Sequence, residues 1–139
     1  MRVFVTGASG FVGSAVVRDL VDAGHQVTGL ARSDQSAATI EASGAQAHRG
    51  DLTDLDALRE AASSADGVIH TAFNHDYRDF AGACATDRAV IGLLGETLAG
   101  SDRPLVVTSG LGSVKRVPGR AATENDPLDH DGPAAHRVP

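Results

Sequence analysis

The sequence predicts a doubly wound α/β fold: a parallel sheet of five strands in the order 3-2-1-4-5, with helices on both faces. Three observations lead there. Short apolar runs rich in β-branched residues alternate with helical patterns along residues 1–109. Alternation of that kind makes right-handed crossovers, and so a parallel sheet covered on both sides. The first run, Val3-Phe4-Val5, passes straight into glycines at positions 7, 10 and 13 and then into an apolar helical face. A sheet that begins so reverses its strand order beside the first strand, which puts a ligand crevice at the carboxyl ends of strands 1 and 4.

The first strand ends at Thr6. In Thr6-Gly7-Ala8-Ser9-Gly10-Phe11-Val12-Gly13 the glycines let the backbone turn tightly and approach an anion closely. Gly13, already helical, lets the helix pack near the strand. Val12, Val16 and Leu20, with Val17 and Val21, mark the helical face. The helix N-terminus offers free N–H groups and a positive dipole end to a pyrophosphate. Gly7, Ser9, Gly10, Phe11, Val12 and Gly13 are therefore the expected dinucleotide contacts. The plain alternative is a connection that uses glycine only to turn. Gly24 caps the end of this helix, and the second strand runs Gln26–Ala31. Arg32 follows, where an acidic side chain would hold the ribose 2′-OH of NAD and an arginine accommodates the 2′-phosphate of NADP. Arg32 and Ser33 favour NADP, with NAD as the alternative, and Asp34 is read as the cap of the next helix. A solvated loop arginine is the plain reading of Arg32.

A weak helix over 35–43 ends at Gly44, and a short third strand occupies 45–49. Thr53 or Asp54 caps a third helix whose face is Leu55, Leu58, Ala61 and Ala62. Asp66-Gly67 turns into the fourth strand, Val68-Ile69-His70, which leaves through Thr71, Ala72 and Phe73. His70 sits among apolar neighbours inside a strand and reads as a core histidine rather than a catalytic one. Residues 74–79 are polar and form a loop on the substrate side, where adjacent His75 and Asp76 make a poor pair for one metal. Phe80, Cys84, Ile91, Leu94 and Leu98 mark one face of a long helix, with Cys84 as a small core hydrophobe. The fifth strand spans 104–109. Leu105, Val106 and Val107 are apolar in succession, which suits a strand buried on both faces. The order nevertheless puts this strand at a sheet edge, so self-association through that edge is expected.

Residues 1–113 thus form the nucleotide-binding unit. Residues 114–139, which hold four of the five prolines amid Asp126, Asp129 and Asp131 without periodicity, form a loop or partly disordered tail. His130, Asp131 and His136 match no strong ligand spacing, and no metal site is expected. The 139 residues have room for one domain. A net charge of −6 with scattered basic residues, Lys115 the sole lysine, argues against nucleic acid or an anionic membrane as partner. No apolar segment approaches the roughly 20 residues of a membrane span. Residues 1–6 read as entering a strand directly, so no signal peptide is expected. The single cysteine excludes an internal disulfide and a multi-cysteine metal site. A soluble cytoplasmic protein is expected.

The motif at 6–13 is spaced Gly-x-x-Gly-x-x-Gly rather than the commoner Gly-x-Gly-x-x-Gly. In that form it resembles the extended short-chain dehydrogenase/reductase family, which includes sugar-nucleotide epimerases and dehydratases. The resemblance is specific at the motif and continues more weakly to residue 113. It implies a Rossmann-type fold and an NAD(P)-dependent oxidoreductase, epimerase or dehydratase, of which this chain supplies the dinucleotide-binding half. It also implies that Asp51 and Leu52 lie against the adenine, and that the backbone at Thr71, Ala72 and Phe73 runs under the pyrophosphate and ribose.

Hydride transfer in that family uses a tyrosine as acid or base, a lysine four residues later, and a serine or threonine after the fifth strand. A tyrosine with its ordinary pKa of about 10 serves poorly at neutral pH, and the nearby cation favours the phenolate. Here Tyr77 is followed four residues on by Ala81, and Lys115 is preceded four residues back by Leu111. The Tyr-x-x-x-Lys pair is absent. The orienting serine aligns with Gly110, which leaves Ser109 as the catalytic candidate, with Ser113 further on. The chain therefore reads as truncated after the fifth strand, ahead of the catalytic and substrate regions. Its partners would be a dinucleotide and a small-molecule substrate of undetermined identity. The alternatives are a non-catalytic NADP-binding, redox-sensing module, or a fold kept only for association.

Overall fold

In the computed structural model the elements follow as β1 (Arg2–Thr6), α1 (Phe11–Asp22), β2 (Gln26–Ala31), α2 (Asp34–Ala42), β3 (Gln46–Arg49), α3 (Leu55–Ser63), β4 (Gly67–His70), α4 (Phe80–Leu98) and β5 (Leu105–Val107). The structure describes residues 1–110, 114–123 and 125–131. Leu111, Ser113 and His136, cited above, lie outside the described residues. The five strands form one sheet in the order β3-β2-β1-β4-β5, every pairing parallel. This is the doubly wound, Rossmann-type arrangement.

Side-chain alternation along the strands sorts the core into two layers. On one face Phe4, Leu30 and Val68 meet Leu58 and Ala62 of α3 and Val90, Leu94 and Leu98 of α4. On the other, Val3, Val5 and Val27 meet Val17 of α1 and Ala37 and Ile40 of α2. From Val3 to Thr6, β1 is buried on both faces, which is why its sequence is a continuous apolar run.

The helix ends show why the chain breaks where it does. Gly24, just past the end of α1, adopts φ +80°, and His25 N–H closes back on the Leu20 carbonyl at 2.9 Å. The cap of α2 is Ser33, not Asp34: the Ser33 hydroxyl accepts from Ser36 N–H at 3.1 Å, and the Ser36 hydroxyl accepts from Ser33 N–H at 3.0 Å. Asp34 instead pairs with Arg49. Asp54 caps α3 through Ala57 N–H at 3.1 Å, while Leu55, at the first position of that helix, stays 40% exposed. A 3-10 turn at Tyr77–Asp79 precedes α4, and Asp79 caps that helix through Gly82 N–H at 2.9 Å.

Two expectations about packing need correction. The buried stripe of α4 is Ala83, Cys84, Asp87, Val90, Leu94 and Leu98, with Leu93 beside it, and Ile91 lies at its margin. The fifth strand is not buried on both faces. Leu105 packs against the α3/α4 layer, but Val106, opposite Ile69 in the register, is 54% exposed on the other face. Arg103 locks the approach to β5 by donating to the carbonyls of Ala62 and Ala65 near the end of α3 and of Thr97 near the end of α4, at 3.2, 3.0 and 3.0 Å. The described part of the tail doubles back on itself: Val114 bridges Leu128, and Lys115 N–H reaches the Pro127 carbonyl at 2.9 Å. Among the described residues no helix is long and apolar enough to cross a membrane.

Candidate functional site

At the carboxyl ends of β1 and β4, where the strand order reverses, a cleft of about 770 Å³ opens. Its floor is the glycine turn. Gly7 adopts φ +70°, and Gly10 N–H closes on the Gly7 carbonyl at 2.8 Å. A Cβ on Gly13 would lie 2.0 Å from the Gly7 carbonyl oxygen, and one on Gly7 would lie 2.8 Å from Ala72 N. Both positions are held to glycine by backbone against backbone. Gly10 differs. A Cβ there meets only the Gly7 carbonyl oxygen, at 3.1 Å, and otherwise faces open space. Gly10 is also the N-cap of α1 and supplies no side-chain cap, and the first turn holds no acidic residue. The first N–H groups of α1 are thus left for an anion in the cleft. Ser9, Phe11 and Val12 line the same wall, with Phe11 97% exposed.

Arg32 and Asp51 stand at the far end of the cleft. Asp51 accepts from Thr53 N–H at 2.7 Å and from the Thr53 hydroxyl at 2.6 Å. The Thr53 hydroxyl, then its N–H, hold the Asp51 carboxyl below its ordinary pKa, with a smaller pull from Arg32. Leu52 lines the cleft and packs against the α3/α4 layer. Ser33 caps α2, and Ser36 stands on the cleft wall where the sequence suggested Ser33.

The opposite wall is the exit of β4, tied to the end of β1. The Thr71 hydroxyl donates to the Thr6 carbonyl at 2.7 Å, and Ala72 N–H donates to Thr6 Oγ1 at 3.3 Å. Behind them lies a polar network without water access. Thr6 Oγ1 is 2.6 Å from His70 Nδ1, and His70 Nε2 is 3.1 Å from Asp87 Oδ1. All three residues are buried. Since Thr6 Oγ1 already accepts from Ala72, its own proton is available to Nδ1, and a proton on Nε2 then completes the chain to Asp87. His70 is a core histidine, as its setting in the strand implied. Its neighbours across the sheet face are polar, however, and Asp87 escaped the sequence reading. The available signal was an aspartate in the buried stripe of α4, three residues from both Cys84 and Val90.

Thr71, Ala72, Phe73, Ser109 and Gly110 complete the lining, and Ser109 is exposed at the rim. Apart from Ser33, every residue proposed for the site lines this one cleft. Tyr77 sits on the 3-10 turn and Lys115 in the tail, so neither forms part of that lining.

Comparison with known proteins agrees with this architecture. The model of the NAD dependent epimerase/dehydratase family matches residues 3–86, which hold the glycine turn, Arg32, Asp51 and the exit of β4. An uncharacterized protein of Schizosaccharomyces pombe is 51% identical over 109 residues, covering 78% of this chain and 37% of that protein. One of Saccharomyces cerevisiae is 46% identical over 133 residues, covering 94% of this chain and 44% of that protein. The chain thus spans about two fifths of the length of these relatives. Among solved structures, the yeast methylglyoxal/isovaleraldehyde reductase complexed with NADPH superposes with a TM-score of 0.67 at 28% identity, over 83% of this chain and 39% of that one. The family match takes in more than half of the 139 residues, including those that build three sides of the cleft, and the chain accordingly belongs to the NAD dependent epimerase/dehydratase family.

Proposed function

We propose that this chain is the dinucleotide-binding half of an oxidoreductase or epimerase of the extended short-chain dehydrogenase/reductase kind, with NADP as its cofactor. The single observation that carries the reading is the uncapped start of α1 beside Gly10, whose outward side is open. An anion fits there without displacing protein atoms, and the family and the NADPH-bound reductase make a nicotinamide dinucleotide the natural occupant.

When bound, that cofactor supplies the hydride. The residues of this chain bind and orient it. N–H groups of Phe11, Val12 and Gly13 would hold the pyrophosphate, and Asp51 and Leu52 would receive the adenine. Arg32 would take the 2′-phosphate. Asp34, the carboxylate that would otherwise compete for a ribose hydroxyl, is engaged by Arg49. Ser109 at the rim is the candidate for orienting substrate. The Tyr-x-x-x-Lys pair does not occur in these residues, and the acid–base step is assigned to the part of the fold that the longer relatives carry beyond the matched segment.

A calorimetric titration with NADPH tests this. Gly10→Val should abolish binding with the circular dichroism spectrum unchanged, because the new side chain enters the cleft rather than the core. Binding by that variant equal to wild type would show that the dinucleotide does not sit on the glycine turn.

A further inference from the structure

The chain contains four phenylalanines, one tyrosine and no tryptophan. Three of these five rings, Phe73, Tyr77 and Phe80, fall within eight residues between β4 and α4, with His75 among them. The four rings touch in series. Phe73 meets His75 edge-on at 5.5 Å and Phe80 at 6.0 Å, while Tyr77 meets His75 at 6.1 Å and lies nearly parallel to Phe80 at 6.4 Å. These separations fall within the favourable range for ring pairs.

The cluster is not core. Phe73 and Phe80 are half-buried, His75 is exposed, and Tyr77 is 72% exposed. Phe73 and His75 line the cleft, so the rings form a shelf running outward from its mouth. The shelf is also poor in usable positive charge. Arg78, within the same segment, donates through Nε and Nη2 to both oxygens of Asp76, at 2.8 and 2.7 Å. Among the described residues lining the cleft, Arg32 is the sole lysine or arginine, and it stands at the end remote from these rings. A diphosphate laid on the shelf would find, among the described lining residues at that end, no cation to replace its hydration. A flat apolar group would exchange water for ring faces.

We infer that the Phe73–His75–Tyr77–Phe80 shelf binds the planar part of an uncharged aromatic or conjugated carbonyl substrate, and disfavours a nucleotide-linked sugar. The inference rests on the proposed function, because the dinucleotide reading decides which end of the cleft is left for substrate.

Tyr77, as the sole tyrosine in a chain without tryptophan, makes the emission lifetime of the protein a report on the shelf alone. The test titrates benzylideneacetone, a planar conjugated ketone, and separately UDP-glucose, into the chain saturated with NADP⁺, which cannot reduce either. Calorimetry and the tyrosine lifetime are read together. The ketone should bind and shorten the lifetime, UDP-glucose should bind more weakly, and Tyr77→Ala should weaken the ketone roughly three- to tenfold. The same variant should leave NADP⁺ affinity unchanged. Absence of ketone binding, tighter binding of UDP-glucose, or a ketone affinity indifferent to Tyr77→Ala overturns the inference and leaves the dinucleotide site standing. Failure of NADP⁺ to bind at all overturns the dinucleotide reading, and the inference falls with it.

Discussion

Replacing His70 by leucine should destabilise the fold by about 3–5 kcal/mol, the summed cost of removing two buried hydrogen bonds, one of them to a carboxylate. The structure sets that scale. His70 and Thr6 are fully buried and Asp87 is 1% exposed, so no water can replace the lost ring nitrogens. Leucine fills most of the ring's volume, which keeps the cavity contribution small. What remains is the loss of the 2.6 Å contact to Thr6 and the 3.1 Å contact to Asp87. Against a typical total stability of about 5–15 kcal/mol the variant should melt roughly 10–20 °C lower. Urea unfolding followed by circular dichroism measures it. The decisive comparison is with Asp87→Leu and with the double variant. Replacing both partners by apolar side chains removes the desolvated carboxylate along with its partner, so the double variant should be at least about 2 kcal/mol more stable than the sum of the singles implies. A His70→Leu cost below about 1 kcal/mol, or strict additivity, would refute the idea that these residues act as one network. NADPH affinity gives a second readout, since Thr6 Oγ1 also receives Ala72 N–H from the cleft wall.

Three further outcomes are expected. Arg32→Ala should lower the ratio of NADPH to NADH affinity by roughly ten- to a hundredfold, as loss of a charge-assisted contact predicts, and an unchanged ratio in paired titrations would remove Arg32 from the 2′-phosphate. The Arg2 guanidinium and N–H, bonded to Asp66 at 2.6 and 2.8 Å, hold the Asp66 carboxyl down at about 2. A carboxyl lowered on folding stabilises above its unfolded pKa, so this contribution should be intact at pH 5, fade as the pH falls from about 4 to about 2, and be missing throughout from Asp66→Asn. Acid titrations in which wild type and variant keep a constant stability difference across that window would contradict the assignment. Finally, residues 1–139 should self-associate through the β5 edge, where Val106 is 54% exposed, and Val106→Lys should suppress it. Sedimentation showing a wild-type monomer at high concentration would argue against that edge being adhesive.

What the sequence made legible and what it hid follow from one physical distinction. Strands and helices show themselves through local periodicity, and the glycine turn through spacing within eight residues, so the element order, the sheet order and the cleft at the ends of β1 and β4 could be read directly. Errors arose where one residue decides between two local solutions. Ser33 and Asp34 can each cap a helix, and only the reciprocal bond to Ser36 selects Ser33. On α4, taking Ile91 for the inward residue rotates that part of the face by one residue. Val90 wins because the stripe includes Asp87, which an apolar template skips.

The hidden part of the site is non-local. Thr6 and His70 are 64 residues apart, and His70 and Asp87 are 17 apart on different elements. No window of sequence contains all three. Only the parallel register that sets Thr6 opposite His70, with α4 crossing behind, brings them into contact. The glycine turn could be recognised because its shape is carried by backbone, and backbone geometry is written in glycines. The wall facing it is built from side chains that meet across the sheet. It becomes readable only once the strand order is known, and an aspartate in an otherwise apolar helical stripe is then the cue to look for its partner on the strand beneath.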